Sequence, residues 1–176
     1  VNPAWNLAAK QAKYPNLLFA NDDINITDLY GILRFMLDNI RDGEVIGIDI
    51  TDMNRGYYTT TTPEQKEYPG WGSFYAMKRD NYVPIPDDIK IYCGDNIQWV
   101  CNKPLILHGA KGEAKQRTTT DSDPDHFFPI MDNDHKLFAK WYEKRFNDTP
   151  VVYHFIMSSG RYDYLERTLE GLKNLD

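Results

Sequence analysis

The chain has 176 residues, of which 41% are hydrophobic, so it is long enough for a folded domain with a substantial core. Its formal net charge of −6 argues against a broad basic surface for nucleic acid, and no apolar run approaches the roughly 20 residues that span a bilayer. Cys93 and Cys101 lack a CxxC spacing, and we expect reduced thiols in a cytoplasmic protein without a signal peptide.

The elements predicted in the first third of the chain alternate between helix and strand. Apolar residues at helical spacing predict helices over residues 4–13 and 28–40, the second capped by Thr27. Short apolar runs predict strands over residues 17–20 and 44–50. Since residue 1 already adjoins a helical pattern, we expect a fragment of a longer protein.

The rest of the chain continues the α/β pattern around two polar stretches. Strands are predicted over residues 73–78 and 105–108, and an amphipathic helix over 132–146. The secondary structure of two segments is left open. Residues 89–92 can form a strand or lead into a helix, and residues 96–101 can form a helix or extended chain. The stretch 59–72 is predicted as a long loop, and 109–129 as an active-site lid because it is too long for a plain connection.

An acidic pair follows the first predicted strand. Asp22 and Asp23 come directly after the apolar run 17–20 and Asn21. Because α/β folds bind ligands at the carboxyl ends of their strands, this position suits a functional site. Carboxylate oxygens are the ligands that Mg²⁺ and Mn²⁺ prefer, so the pair indicates a divalent metal site; a solvated turn is the alternative.

Several segments together resemble the family-2 glycosyltransferases of the GT-A fold. They are Ala4 to Ala9 with Asn6 before small residues, the acidic triplet 21–23, a glycine followed by a strand at 72–79, the Gly-Asp-Asn-x-x-Trp pattern at 94–99, and His108 followed by a Ser/Thr-rich stretch and residues 134–141. The last of these resembles a variant in phage-encoded and bacterial members. The resemblance implies a GT-A-like, Rossmann-like, mostly parallel sheet flanked by helices.

The same resemblance implies an activity and a set of site residues. The activity is an inverting, Mn²⁺- or Mg²⁺-dependent transfer of a sugar from a nucleotide diphosphate sugar to a saccharide or other hydroxyl acceptor. The implied roles are the catalytic base for Asp95, metal ligands for Asp23 and His108, donor binding for Asn6, Asp22, Arg117, Ser158, Ser159 and Gly160, and acceptor binding for Trp71 and Gly72.

The residues leave alternatives open for each role. Asp95 can instead cap a helix, His108 can be structural, and Trp71 can anchor a loop by packing. Arg117 can belong to a solvated loop. At the level of function, the competing hypothesis is a non-catalytic, glycosyltransferase-like module for carbohydrate binding or assembly. A metal-dependent phosphoesterase that uses the same carboxylates is a third hypothesis.

The order of segments departs from that of the family. Residues 1–148 resemble the carboxyl-side portion of a GT-A domain, whereas 149–176, a predicted strand at 151–157 with a turn and a helix, resemble its opening unit. We therefore expect an incomplete or permuted domain. The strand 151–157 is expected to pair parallel to 17–20, either within the chain or from a neighbouring copy, which would favour a homodimer.

Overall fold

The computed structural model describes residues 1–63, 71–114 and 118–146. Its helices are α1 (Asn2–Gln11), α2 (Leu29–Asn39), α3 (Gly94–Cys101), α4 (Thr118–Ser122) and α5 (Pro124–Phe146). Its strands are β1 (Asn16–Ala20), β2 (Ile24–Ile26), β3 (Glu44–Ile48), β4 (Thr59–Thr61), β5 (Phe74–Lys78), β6 (Lys103–His108) and β7 (Gly112–Ala114). One compact unit spans Val1–Trp141 and contains both sheets.

The protein is α/β, with a five-stranded mixed sheet in the order β1-β5-β3-β6-β4. β3 and β6 are parallel, whereas the other three neighbouring pairs are antiparallel. The prediction of a mostly parallel sheet is therefore wrong. β5 lies between β1 and β3 and runs against both, so β1, β3 and β6 point the same way and their carboxyl ends share one edge of the sheet.

Both stretches predicted as irregular contain regular structure. Three of the four consecutive threonines form β4, which pairs with β6, because β-branched side chains favour extended chain. The predicted lid at 109–129 contains β7, which pairs with β2, and then α4 and the start of α5. The prediction of irregular chain is therefore wrong for these elements, whereas residues 62–63 and 109–111 have no regular structure.

The helix ends differ from the predicted ones for local reasons. α2 is capped by Asp28, not Thr27: its Oδ1 accepts a hydrogen bond from the Gly31 N–H at 3.0 Å. α5 begins at Pro124, well before residue 132, and continues through Pro129. Proline is favoured in a first helical turn, where its missing N–H has no partner to lose. Pro129 is the sixth residue and lies inside the helix, where a proline lacks the N–H that would donate to the carbonyl four residues earlier.

Aromatic rings fill the core beside the sheet. Trp71, Tyr75, Phe19 and Tyr82 form a stacked column, with successive ring centroids 4.9, 4.7 and 5.5 Å apart. Gly47 on β3 makes room for this column, since a Cβ there would overlap the Trp71 ring. Most of these aromatic side chains therefore stabilise the fold through buried apolar area and ring stacking.

Three tyrosines should make the fold sensitive to alkali. Burial, followed by the nearby Asp95 carboxylate, raises the pKa of Tyr75 well above 10, and burial raises that of Tyr82 to about 12. Burial and the hydrogen bond to Asp28 raise the pKa of Tyr58 to about 12. The folded state thus holds these protons more tightly than the unfolded state, so stability is complete below about pH 10 and falls as the pH rises towards 12. Urea unfolding across this range measures the fall.

Two substitutions distinguish the contributions of Tyr75 and Tyr82 to stability. The Tyr75 hydroxyl is buried and has no hydrogen-bond partner among the described residues, so Tyr75→Phe should not reduce stability at pH 7 and should weaken the alkaline fall. The Tyr82 hydroxyl donates to Asn6 Oδ1 at 2.9 Å, so Tyr82→Phe should lower stability by about 0.5–1.5 kcal/mol. Equal losses from both variants at pH 7 would contradict this difference.

Candidate functional site

A cavity of about 610 Å³ lies beyond the carboxyl end of β1. Four of the residues predicted from the sequence line it: Asp22, Asp23, Gly72 and Asp95. The volume falls within the range of about 300–1,000 Å³ that is usual for small-molecule sites. Residues up to 73 positions apart in the chain, from 22 to 95, thus meet around one space.

The β1–β5 pairing places the acidic pair beside Gly72. Ala20, the last residue of β1, lies opposite Phe74, and the ladder continues where the Asn21 N–H donates to the Ser73 carbonyl at 2.8 Å. The chain therefore leaves β1 next to the turn that precedes β5. Asp22 is exposed and Asp23 is half-buried, so both carboxylates are accessible from the cavity.

Asp95 packs directly against Gly72. A Cβ on Gly72 would overlap the Asp95 carboxylate, so the position requires glycine for this close approach. Cys93 turns the chain into α3 with a left-handed backbone, φ +62°, and it is Cys93 that occupies the N-cap position. Asp95 lies within the first turn of α3, so the alternative in which Asp95 caps the helix is incorrect.

A buried carboxylate holds the wall of the cavity next to Asp95. Asp134 on α5 is 0% exposed and accepts hydrogen bonds from the backbone N–H groups of Lys90, Ile91 and Tyr92, the shortest at 2.8 Å. The Tyr92 hydroxyl also bonds Thr120 Oγ1 of α4 at 2.7 Å. Through these bonds α4 and α5 fix the segment that leads into α3.

The structure places three predicted site residues away from the cavity lining. Asn6 fastens α1 to the following loop: its amide donates to the Ile85 carbonyl at 2.8 Å and its Oδ1 accepts from the Ile85 N–H at 2.9 Å. Trp71 is only 2% exposed, and its ring is stacked in the core, which is the packing alternative rather than the acceptor role. His108 lies with Asp49 and Asp52, not among the lining residues.

Some predictions fall outside the described residues. They concern Arg117, Ser158, Ser159, Gly160, the strand 151–157 with its pairing to β1, and the domain boundary near 148. They stay predictions, as do the homodimer and the cytoplasmic location. In the described part of the chain, no helix is long and apolar enough to cross a membrane.

The cavity also includes residues that the sequence did not single out. Trp5 on α1 lines it and contacts Phe19 and Tyr75 at ring distances of 5.1 and 5.9 Å. Its place on the apolar face of a helix indicated a core residue, whereas the structure leaves it half-buried. His135 on α5 also lines the cavity, and the only signal for it is its position next to Asp134.

The charges of the lining suit a hard divalent cation. Asp22, Asp23 and Asp95 bring three carboxyl groups to one cavity, and oxygen ligands of this kind match Mg²⁺ or Mn²⁺. A phosphate anion entering alone would be repelled by these groups, whereas a cation would offset their charge. The three carboxylates do not converge on one point, because among the described residues only Asp49, Asp52 and His108 form a group of three whose ligand atoms lie within 4.8 Å of one another.

The sequence and the structure were compared with known protein families, proteins and structures. The chain matches no family model, no curated protein and no solved structure.

Proposed function

We propose that this protein is a metal-dependent glycosyltransferase that moves a sugar from a nucleotide diphosphate sugar to a hydroxyl acceptor. The observation that supports the proposal is the meeting of Asp22, Asp23, Gly72 and Asp95 around one cavity. These are residues to which the family resemblance gives metal, donor, acceptor and base roles. A resemblance carried by separate motifs gains weight when the motifs meet in space.

The proposed reaction needs one proton acceptor from the chain. The acceptor hydroxyl oxygen attacks the anomeric carbon, the bond from that carbon to the diphosphate oxygen breaks, and the hydroxyl proton passes to the Asp95 carboxylate. The close packing of Asp95 against Gly72 restricts where this carboxylate can lie. Such restriction favours proton transfer because the base is already positioned when the hydroxyl arrives.

The acidic pair supplies the donor side of the cavity. Asp22 and Asp23 would hold Mn²⁺ or Mg²⁺, which supplies charge neutralisation for the leaving diphosphate when it is bound. Trp5 adds an aromatic surface to the same lining, and rings of this kind stack on sugars and bases. His135 adds a hydrogen-bonding group on the α5 side of the cavity.

Nucleotide binding should depend on metal through Asp23. With Mn²⁺ and a nucleoside diphosphate at about 100 times its dissociation constant, we expect the melting temperature to rise by about 5–10 °C. Without Mn²⁺ the nucleotide should have little effect, because the cavity carboxylates repel the diphosphate. Asp23→Asn should remove the Mn²⁺-dependent part of the shift.

Asp38→Asn is the matched control. Asp38 lies on the exposed surface of α2, where its carboxylate forms an ion pair with Arg34. This variant should behave as wild type. A nucleotide shift of equal size with and without Mn²⁺, or one unchanged by Asp23→Asn, would show that the acidic pair does not bind metal.

A further inference from the structure

We infer that Asp49, Asp52 and His108 form a second divalent-cation site, made of residues that do not line the cavity. One ligand atom from each residue lies within 4.8 Å of the other two. The inference is independent of the proposed transferase activity, because neither the residues nor the test below involves a nucleotide sugar.

The parallel pairing of β3 and β6 creates this group. Ile48 lies opposite Leu107. Asp49, which follows β3, and His108, the last residue of β6, therefore lie at the same edge of the sheet. The Asp49 N–H donates to the Leu107 carbonyl at 2.8 Å, which keeps the two strands together at this point. A 3₁₀ turn, Ile50–Asp52, then brings Asp52 back towards His108.

Hydrogen bonds from neighbouring threonines hold the Asp49 and His108 side chains in place. The Thr51 N–H and hydroxyl donate to Asp49 Oδ1 at 2.8 and 2.6 Å, and Asp49 Oδ2 lies 3.3 Å from His108 Nδ1. Asp52 Oδ2 lies 3.4 Å from the same nitrogen. Thr61 Oγ1 lies 2.8 Å from Nε2 on the other side of the ring. When Nε2–H donates to Thr61, the lone pair of Nδ1 faces both carboxylates.

This arrangement is typical of metal-binding histidines, whose second ring nitrogen is held by a neighbouring group that fixes the tautomer and the ring orientation. The Asp49 side chain is only 3% exposed, so solvent would screen little of its attraction for a cation bound beside it. One imidazole nitrogen and two carboxylate oxygens suit a first-row transition ion such as Mn²⁺ or Zn²⁺ better than Mg²⁺.

Mn²⁺ alone is the probe for this site. The full chain, freed of metal by a chelator, is titrated with Mn²⁺, and bound ions are counted by electron paramagnetic resonance. Pulsed spectra then report whether a nitrogen nucleus is coupled to the bound ion. We expect imidazole nitrogen coupling in the wild-type protein. His108→Gln should abolish it and remove one bound Mn²⁺, whereas Asp23→Asn should keep it.

Two further variants keep the test decisive if His108→Gln unfolds, which circular dichroism reports. Thr61→Val preserves the β-branched shape in β4 but removes the group that holds Nε2, and should weaken Mn²⁺ binding at this site about 10–100-fold. His126→Gln, on the exposed surface of α5, is the control and should change nothing. Nitrogen coupling that is absent from wild type, or persists in His108→Gln, or an affinity unchanged by Thr61→Val, would overturn the inference.

Discussion

Asp134→Ala is expected to lower the free energy of unfolding by about 3–5 kcal/mol, the largest stability effect that this structure predicts. The carboxylate is fully buried and is the acceptor for three successive backbone N–H groups, from Lys90 to Tyr92. Each buried donor left without an acceptor costs about 1–3 kcal/mol, and water entering the gap recovers only part of that. For a chain of this length the melting temperature should fall by about 6–20 °C.

Chemical denaturation of three variants measures this effect. Asp134→Asn keeps one acceptor oxygen and should lose less stability than Asp134→Ala. Asp132→Asn, an exposed position on the same helix, is the control and should stay within about 0.5 kcal/mol of wild type. If Asp134→Ala unfolded at the same denaturant concentration as Asp132→Asn, the link between α5 and the cavity wall would have no energetic role.

Asp95→Asn is expected to reduce turnover about 10²–10⁴-fold while leaving metal-dependent nucleotide binding in place. The amide has nearly the shape of the carboxylate, so it should still fit against Gly72. It cannot accept the acceptor hydroxyl's proton, and removing a positioned general base typically has an effect of this size. Initial rates at saturating donor, together with nucleotide affinity measured by calorimetry, separate the two steps.

Asp80→Asn serves as the control for Asp95, because the Asp80 side chain is 92% exposed. Its turnover should equal that of wild type. Wild-type turnover in Asp95→Asn would restrict Asp95 to a packing role and remove the base from the proposed reaction. A loss of nucleotide binding equal to the loss of turnover would instead indicate that Asp95 acts in binding.

Features with a local cause could be predicted from the sequence. The strand before Asp22 and the helix over α2 follow from short apolar runs and helical spacing, and both are present. Asp22 is predicted to follow a strand, Gly72 to precede one, and Asp95 to precede a possible helix. These places agree with the positions of the three residues around the cavity. No distance between these segments could be predicted, because the pairing of β1 with β5 joins residues far apart in the chain.

Strand direction could not be predicted for a physical reason. β5 is buried along nearly its whole length, so its sequence looks the same whether it runs parallel or antiparallel to its neighbours. The same limit applies to His108. The resemblance assigned it to the metal site of Asp23, but its partners are determined by β6 pairing with β3, which brings Asp49 to it.

The burial of individual aromatic residues could not be predicted from the sequence either. Trp5 and Trp71 both lie near predicted helices or turns, and their side chains have identical chemistry. Tertiary packing alone buries Trp71 against Tyr75 and leaves Trp5 half-buried at the cavity. Prolines usually end or kink helices, yet Pro124 and Pro129 both lie in the first two turns of α5.

The central proposal, sugar transfer at this cavity, is tested most directly by product analysis. The wild-type chain is incubated with Mn²⁺, a panel of nucleotide diphosphate sugars and saccharide acceptors, and the products are separated and weighed by mass spectrometry. We predict release of nucleoside diphosphate that requires both Mn²⁺ and an acceptor, with the acceptor gaining one sugar residue. Nucleotide binding without release from any donor would contradict catalysis and indicate a non-catalytic binding module, whereas release of inorganic phosphate would indicate a phosphoesterase.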